Sequence, residues 1–275
     1  MFPFLTWCED RALRLDELQA LHISAYIREL AETKGLAETS IKARLAAIKS
    51  LFRFLVEGGL LRYNPAQDVR GPKVRRKGGR TPQLDSSDMR RFLDSIETHT
   101  LVGLRDRALI GLMAFAFPRI STALALRLKD LEPTAIGYDV YLQGKGGEAH
   151  RHPVHHEAAT YVMAWVEAAG LEERPAPLFQ AVERVKGKAP RASGRALSRR
   201  TAWEMVKRRA EGLGLNPDLC THTFRGTGIT AYTEAGGSLQ MASKMAGHAD
   251  VRTTQLYVRT SNKKLRAEVE RIRFE

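Results

Sequence analysis

Cysteine is scarce in this chain of 275 residues, and its two cysteines, Cys8 and Cys220, lie far apart and outside any CxxC pattern. A disulfide framework is therefore not expected, and such sparse cysteine is typical of intracellular proteins. Long hydrophobic runs are also missing, since no stretch approaches the roughly 20 apolar residues of a membrane-spanning helix. The start of the chain, MFPFLTWCED, lacks the basic opening and apolar centre of a signal peptide. We therefore expect a cytoplasmic protein without a membrane partner.

Acidic residues are too few to balance the basic ones. The chain has 44 Lys and Arg against 31 Asp and Glu, a net charge of +13. Such an excess favours a polyanionic partner, either nucleic acid or an anionic membrane surface. Because the sequence carries no membrane signal, nucleic acid is the better candidate, although charge alone does not separate DNA from RNA.

The excess charge is concentrated in a short segment. Residues 1–72 carry ten basic and nine acidic side chains, and 85–275 carry 29 and 22. The segment 73–84 between them has no acidic residue, and its basic stretch lies between Pro72 and Pro82. Proline and glycine at such density mark a linker. We predict a domain at 1–72, a domain at 85–275 and a basic linker at 73–84, whose cations are Lys73, Arg75, Arg76, Lys77 and Arg80.

Hydrophobic spacing predicts helices in the first domain. Apolar residues recur at steps of 4, 3, 4 and 3 in the series Ile41, Leu45, Ile48, Phe52, Leu55. This period places them on one helix face. Lys42, Lys49 and Arg53 form a second stripe on the same helix, which is either a solvated face or a surface laid along DNA. A second helix is predicted over 16–33, with Leu18, Leu21, Ala25 and Leu30 facing inward.

The second domain is predicted to be mainly helical, with one exception. The segment VYLQGKGGEAHRHPV (140–154) predicts a β-hairpin with Lys145 at a glycine-rich tip. The segment 183–200 has seven basic residues and only Glu183, and its Pro190 and Gly194 predict a loop. The expected fold class is mainly α with a small β-hairpin or sheet.

Four features beyond the linker carry polar chemistry. Arg119 follows a nearly continuous apolar run, and Lys145 lies at the hairpin tip. His222 and Arg225 are three residues apart on a predicted helix, and His248 lies nine residues before Tyr257. Each feature alone has an ordinary structural explanation, since surface arginines, solvated lysines, structural His-x-x-Arg pairs and core tyrosines are all common.

Together the same side chains suit phosphoryl transfer. Two arginines can hold the two non-bridging oxygens of one phosphodiester. Histidines supply hydrogen bonds near neutral pH, a lysine can protonate a leaving oxygen, and a tyrosine can attack phosphorus. Because positioning and charge stabilisation supply most of the catalysis in such reactions, this set needs no metal ion.

The order of these residues resembles the catalytic signature of the tyrosine recombinase family, which includes lambda-type phage integrases and the Xer and Cre recombinases. The family order of Arg, Lys, His-x-x-Arg, His or Trp, and Tyr is matched here by Arg119, Lys145, His222, Arg225, His248 and Tyr257. The segment RLAAIKSLFRFLVEGGLLRYNPAQDV also resembles the helix and exit of that family's core-binding domain. The resemblance thus spans nearly the whole chain.

The resemblance implies a site-specific recombinase that needs neither metal nor ATP. Tyr257 would form a 3′-phosphotyrosyl bond, Arg119 and Arg225 would hold the phosphate, and Lys145 would protonate the 5′-oxygen. His222 would assist proton transfer at Tyr257, and His248 would hydrogen-bond the phosphate. A SAM-like core-binding domain at 1–72 and a catalytic domain at 85–275 would clamp duplex DNA, contacted by Lys42, Lys49, Arg53 and the linker cations.

The family also implies a homotetramer on two duplexes, in which a C-terminal helix docks on a neighbouring protomer. Leu265, Val269 and Ile272 recur at steps of 4 and 3 and suit that role, or the packing of a helix on its own domain. Three positions depart from the family pattern, namely Pro118, Thr122 and Glu148.

Two other functions remain open at this stage. One is a non-catalytic architectural protein that binds DNA on the same fold, and the other is a DNA-relaxing enzyme of the type IB topoisomerase kind. A metal site in the segment HRHPVHH, with His150, His152, His155 and His156, is disfavoured because no other ligand with suitable spacing lies nearby.

Overall fold

The computed structural model describes residues 3–73, 81–143, 149–172, 175–248 and 250–257. The chain divides into two compact units, Met1–Arg76 and Lys77–Glu275. Each unit has its own hydrophobic core. Within the described ranges, no helix combines the length and the apolar character that crossing a membrane requires.

In its described part, residues 3–73, the first unit has three helices, α1 (Pro3–Glu9), α2 (Ala20–Glu32) and α3 (Glu38–Glu57). The predicted face of α3 is confirmed, because Ile41, Leu45, Ile48 and Phe52 are all buried. Aromatic rings of α1 and α2 complete this core, and Phe4 meets Tyr26 edge to face with ring centroids 5.1 Å apart. Such edge-to-face pairs add to the stabilisation that burial provides.

The predicted inward face of α2 is wrong at two of its four positions, whereas Leu18 and Leu30 are buried as predicted. Leu21 is 72% exposed and Ala25 is exposed as well. The helix begins at Ala20 with Gln19 as its N-cap, so buried Leu18 precedes the helix and gives the wrong phase for its face. The residues that enter the core are Ile23, Tyr26, Ile27 and Leu30.

The second unit contains eight helices among its described residues. Their bounds are α4 (Ser86–Asp94), α5 (Leu101–Phe115), α6 (Ile120–Ala125), α7 (His156–Ala168), α8 (Arg199–Gly212), α9 (Thr221–Glu234), α10 (Leu239–Met245) and α11 (Val251–Gln255). The apolar helix α5 packs against both α7 and α9. Gly228 permits the close approach of α9, because a Cβ atom there would clash with the carbonyl oxygen of Ala114. The mainly helical fold class is therefore confirmed.

A three-stranded antiparallel sheet contains the predicted hairpin. Its strands are β1 (Leu131–Thr134), β2 (Gly137–Gln143) and β3 (Ala149–Val154), in the order β1-β2-β3. Gln143 pairs with Ala149 at the last register position before the tip. The tip itself, which includes Lys145 and Glu148, lies outside the described residues. Strand β1 adds to the two strands that the hairpin pattern predicts.

The basic segment predicted as a loop is in part a second hairpin. Strands β4 (Gln180–Glu183) and β5 (Arg191–Ala196) pair antiparallel. The buried Gln180 side chain accepts a hydrogen bond of 2.7 Å from the backbone amide of Gly194, and Glu183 forms ion pairs with Arg191 and Arg195. These cross-strand contacts stabilise strands in a segment whose glycine, proline and serine content indicates a loop.

Candidate active site

Arg119 lies at the turn between α5 and α6, where it is the N-cap of α6. Two residues earlier, Phe117 has a φ of 57°, a left-handed conformation that is rare for a bulky residue. This turn leaves the Arg119 side chain exposed. Its guanidinium makes no hydrogen bond or ion pair with any residue that the structure describes. No described residue therefore occupies its donors, which can bind an anion.

Arg225 belongs to α9 and, at 1% exposure, is one of the most buried charged side chains of the described chain. Its guanidinium donates to the carbonyl oxygens of Phe117 and Ala246, and its Nη2 lies 2.6 Å from His248 Nε2. Burial and the neighbouring Arg119 lower the pKa of Arg225 to about 10. The side chain is thus still a cation at neutral pH.

His248 follows α10 and is held at both ring nitrogens. Its Nδ1 lies 2.8 Å from the hydroxyl of Thr254, a fully buried residue of α11. Because arginine only donates, Nε2 must accept from Arg225, which assigns the ring proton to Nδ1. Burial, followed by the charges of Arg225 and Arg119, lowers the pKa of His248 to about 4. The ring is therefore neutral at physiological pH.

Tyr257 lies just beyond α11, and its hydroxyl is 2.6 Å from His222 Nε2. Its ring stacks on His248, with centroids 5.8 Å apart and planes 5° from parallel. Burial, followed by the charges of Arg225 and Arg119, lowers the pKa of His222. A neutral His222 can accept the phenolic proton, so the contact is that of a hydroxyl and a base.

Arg119 and Arg225 line one cavity of about 510 Å³ beside this cluster. Four further side chains with basic groups line it, namely His150, Arg151, His152 and Lys244, and no carboxylate is among its lining residues. Thr122, where the family has an acidic residue, also lines it. Such a surface suits a phosphate group, since both arginines can donate paired hydrogen bonds.

The structure thus brings together five of the six predicted catalytic residues, and Lys145 lies outside the described part. Of the predicted DNA contacts, Lys42, Arg53 and Lys73 are exposed. Lys49 is half-buried and donates to the carbonyl oxygen of Gln67 at 2.8 Å. The linker residues Arg75, Arg76, Lys77 and Arg80 lie outside the described residues.

Sequence reasoning missed Thr254, which faces His248. A hydroxyl residue three positions before a tyrosine carries no signal of its own. The partnership becomes visible only when α10 and α11 pack together and bring the Thr254 hydroxyl to the histidine ring.

A cluster of three possible metal ligands does form at the end of the histidine-rich segment, but two of its three groups already have hydrogen-bond partners. Single ligand atoms of His155, His156 and Glu157 lie within 4.8 Å of one another. Glu157 accepts two hydrogen bonds from Arg90, at 2.8 and 3.1 Å, and this pairing holds its pKa at about 2. His155 Nδ1 caps α7 by accepting from the Glu157 amide. These contacts give the cluster a structural role at the start of α7.

Comparison with known proteins finds matches to phage integrases in both units. The model of the phage integrase family matches residues 82–264, and that of the phage integrase N-terminal SAM-like domain matches residues 3–59. The tyrosine recombinase XerD of Lacticaseibacillus casei is 28% identical over 268 residues, covering 95% of this chain and 85% of the relative. The tyrosine recombinase XerC of Salmonella typhi is 32% identical over 227 residues, covering 82% and 70%.

Solved structures share the fold. A post-cleavage complex of the XerH site-specific recombinase with a palindromic difH substrate has a TM-score of 0.75 at 18% identity and covers 98% of this chain and 75% of that one. A lambda integrase dimer bound to a COC′ core site has a TM-score of 0.65 at 17% identity, covering 91% and 68%. The chain belongs to the phage integrase family of tyrosine recombinases, enzymes that exchange DNA strands without a metal ion or ATP.

Proposed function

We propose that this recombinase cuts a DNA strand by attack of the Tyr257 hydroxyl on the scissile phosphate. The observation that carries this assignment is the hydrogen bond between Tyr257 Oη and His222 Nε2, beside the cation Arg225. A phenol in contact with a neutral base and next to a buried positive charge is poised to lose its proton as it attacks.

The phosphate is held by Arg119 and Arg225 in this proposal. Arg119 supplies all of its donors, whereas Arg225 has its Nε and one Nη1 hydrogen left after its contacts with Phe117, Ala246 and His248. Two cations over the non-bridging oxygens stabilise the charge that accumulates on them in the transition state. When DNA replaces the present contact of His248 with Arg225, the ring proton moves to Nε2, which donates to the phosphate, while Nδ1 accepts from the Thr254 hydroxyl.

Proton transfers complete the cleavage step. As the bond from Tyr257 Oη to phosphorus forms, His222 accepts the phenolic proton. The bond from phosphorus to the 5′-oxygen breaks, and Lys145 donates a proton to that oxygen, which leaves as a 5′-hydroxyl. The products are a 3′-phosphotyrosyl bond and a free 5′ end. Because the new ester keeps the energy of the phosphodiester, a 5′-hydroxyl from a second duplex can reverse the reaction without ATP.

The two units have different roles in this proposal. The SAM-like unit at 1–72 binds duplex DNA through Lys42, Lys49 and Arg53, the linker 73–84 binds backbone phosphates, and 85–275 carries the chemistry. The active assembly is a homotetramer on two duplexes in the cytoplasm. Sedimentation of the protein with excess duplex tests the stoichiometry, since the tetramer predicts a complex of four chains and two duplexes, and a complex limited to one chain per duplex contradicts it.

A suicide substrate tests the nucleophile directly. A nick placed just downstream of the scissile phosphate lets the short 5′ fragment diffuse away, which traps the covalent complex. We expect the wild type to form a protein–DNA adduct that survives denaturation, and Tyr257→Phe to form none while it binds the same DNA. The Tyr232→Phe variant is a matched control, and it is expected to form the adduct. An adduct in Tyr257→Phe would assign the nucleophile to another residue.

The same preparation separates recombination from simple relaxation. Two duplexes with the cognate site should yield exchanged strands in a reaction whose rate rises steeply with protein concentration, because four chains must assemble. Relaxation of supercoiled DNA by single chains, without exchanged strands, would favour the topoisomerase alternative.

A further inference from the structure

The backbone carbonyl of Tyr257 accepts two side-chain hydrogen bonds from distant parts of the chain. Gln83 Nε2 donates to it at 2.9 Å across 174 residues of sequence, and Thr230 Oγ1 donates at 2.9 Å from α9. A carbonyl oxygen has two acceptor sites, so these two donors satisfy it fully. Neither donor belongs to the residues that the proposed chemistry uses.

Gln83 is itself held firmly against α9. The backbone amide of the next residue, Leu84, donates to the buried Thr227 hydroxyl at 3.0 Å. Gly226 leaves room for the arrangement, because a Cβ atom there would lie 3.2 Å from Tyr257 Cδ1 and 3.3 Å from Gln83 Nε2. The glutamine amide, the bare backbone of α9 and the tyrosine ring are therefore packed in direct contact.

Tyr257 needs such support because little regular structure precedes it. The helix α11 has only five residues and ends at Gln255, and the Tyr257 amide donates to the carbonyl of Thr254 in a turn. At the other end of the residue, the hydroxyl must stay 2.6 Å from His222. A misplacement of about 1 Å in reacting groups can slow a reaction on the order of a hundredfold.

We propose that Gln83 and Thr230 are positioning residues that fix the backbone of the nucleophile, an inference that rests on the proposed role of Tyr257. Thr230 ties Tyr257 to α9, the helix that carries His222 and Arg225. Gln83 lies in the last part of the basic linker 73–84. Its hydrogen bond therefore makes the placement of the nucleophile depend on the segment that joins the two units along the chain.

Isosteric variants test this role. Thr230→Val and Gln83→Met keep the size of each side chain and remove its donor, whereas Thr230→Ser keeps the hydroxyl. We expect each donor-less variant to form the covalent complex about fivefold more slowly at saturating DNA, since one hydrogen bond contributes roughly 1 kcal/mol. Thr230→Ser should keep the wild-type rate. DNA affinity and thermal unfolding midpoint should stay at the wild-type values in all three.

A substrate with a sulfur atom in place of the 5′-bridging oxygen gives a second readout. A thiolate leaves without protonation, so this substrate should restore cleavage by Lys145→Ala, which lacks the proposed acid. The Gln83→Met and Thr230→Val variants should remain slow on it, because their defect lies in the nucleophile and not in the leaving group.

Several outcomes would overturn the inference. Wild-type rates in both donor-less variants would do so, and so would a Thr230→Ser variant as slow as Thr230→Val. A loss of rate that matched a loss of DNA affinity or of thermal stability would assign both residues a structural role instead. Absence of any adduct from the wild type would contradict the proposed nucleophile, which separates that failure from this one.

Discussion

Thr254, which lies outside the catalytic signature, supports the protonation pattern of His248, which belongs to it. His248 Nε2 can accept a hydrogen bond from Arg225 only while the ring proton stays on Nδ1. The Thr254 hydroxyl accepts the hydrogen bond from this Nδ1–H group. Thr254 is fully buried, so water does not replace it. Arg225 therefore sets the tautomer of His248 in the free protein, and the Thr254 hydroxyl supplies the hydrogen-bond acceptor that this tautomer requires.

Removing that hydroxyl should uncouple the histidine ring. We expect Thr254→Val to slow covalent-complex formation about tenfold, because the variant leaves Nδ1–H without its acceptor in a buried place. Single-turnover kinetics on the suicide substrate measure the effect. Thr254→Ser retains the hydroxyl and serves as the control. Equal rates for the valine and serine variants would show that the contact does not matter.

The pH dependence of cleavage should report His222. Its pKa is lowered by burial and by Arg225 and Arg119, so it lies below the ordinary value of about 6.5. Below that pKa the ring is protonated and cannot accept from Tyr257, hence the rate at subsaturating DNA should fall with decreasing pH only below about 6.5. An acidic limb above that value, or one that persists in His222→Gln, would contradict the assignment.

At the scale of elements, α9 joins the chemistry to the core through two glycines. Gly228 lets the helix approach α5, and Gly226 lets it approach Tyr257 and Gln83. The neighbours differ in kind, since the first glycine faces the backbone of Ala114 and the second faces side chains. The same substitution should therefore have different consequences at two positions separated by a single residue.

We expect Gly228→Ala to lower the free energy of unfolding by roughly 1–3 kcal/mol, because backbone atoms cannot move away from the added methyl group. Gly226→Ala should change stability by less than about 1 kcal/mol, since alanine favours helix and the side chains nearby can shift. It should nevertheless slow cleavage. Chemical denaturation and single-turnover kinetics on both variants test the contrast, which fails if Gly226→Ala cleaves at the wild-type rate.

Elements with a clear period were predictable from sequence, and those set by partners were not. The face of α3 follows from its own spacing. The face of α2 was wrong at Leu21 and Ala25 because buried Leu18 precedes the helix and does not share its period. The β4–β5 hairpin was read as a loop because its support comes from Gln180 and Glu183 on the opposite strand. The Gln83 contact joins residues 174 positions apart, which no local pattern reveals.

At the scale of the whole molecule, the net charge of +13 sets how the protein should respond to salt. Five of its cations are crowded into the linker without an acidic residue. Contacts of cations with DNA phosphates release counterions, so each contributes about 0.9 to the slope of log affinity against log salt concentration. The composition that predicts a linker thus also predicts how steeply DNA affinity falls with salt concentration.

Replacing Lys73, Arg75, Arg76, Lys77 and Arg80 by glutamine should reduce that slope by up to about 4.5, if all five bind phosphates. Titrations of labelled duplex at several salt concentrations measure it. A variant in which these lysines and arginines are exchanged for one another keeps the charge and should keep the slope. An unchanged slope in the glutamine variant would place the linker away from the DNA backbone.

The two arginines that we propose to hold the phosphate differ in their contacts within the folded chain. Arg225 supplies donors to the buried carbonyls of Phe117 and Ala246, and leaving such groups unpaired costs about 1–3 kcal/mol each. The Arg119 guanidinium donates no such hydrogen bond to the described residues. Over evolutionary time, a lineage released from selection for cleavage would therefore lose Arg119 freely while folding still preserved Arg225. Inactive descendants of this protein should be recognisable by that asymmetry.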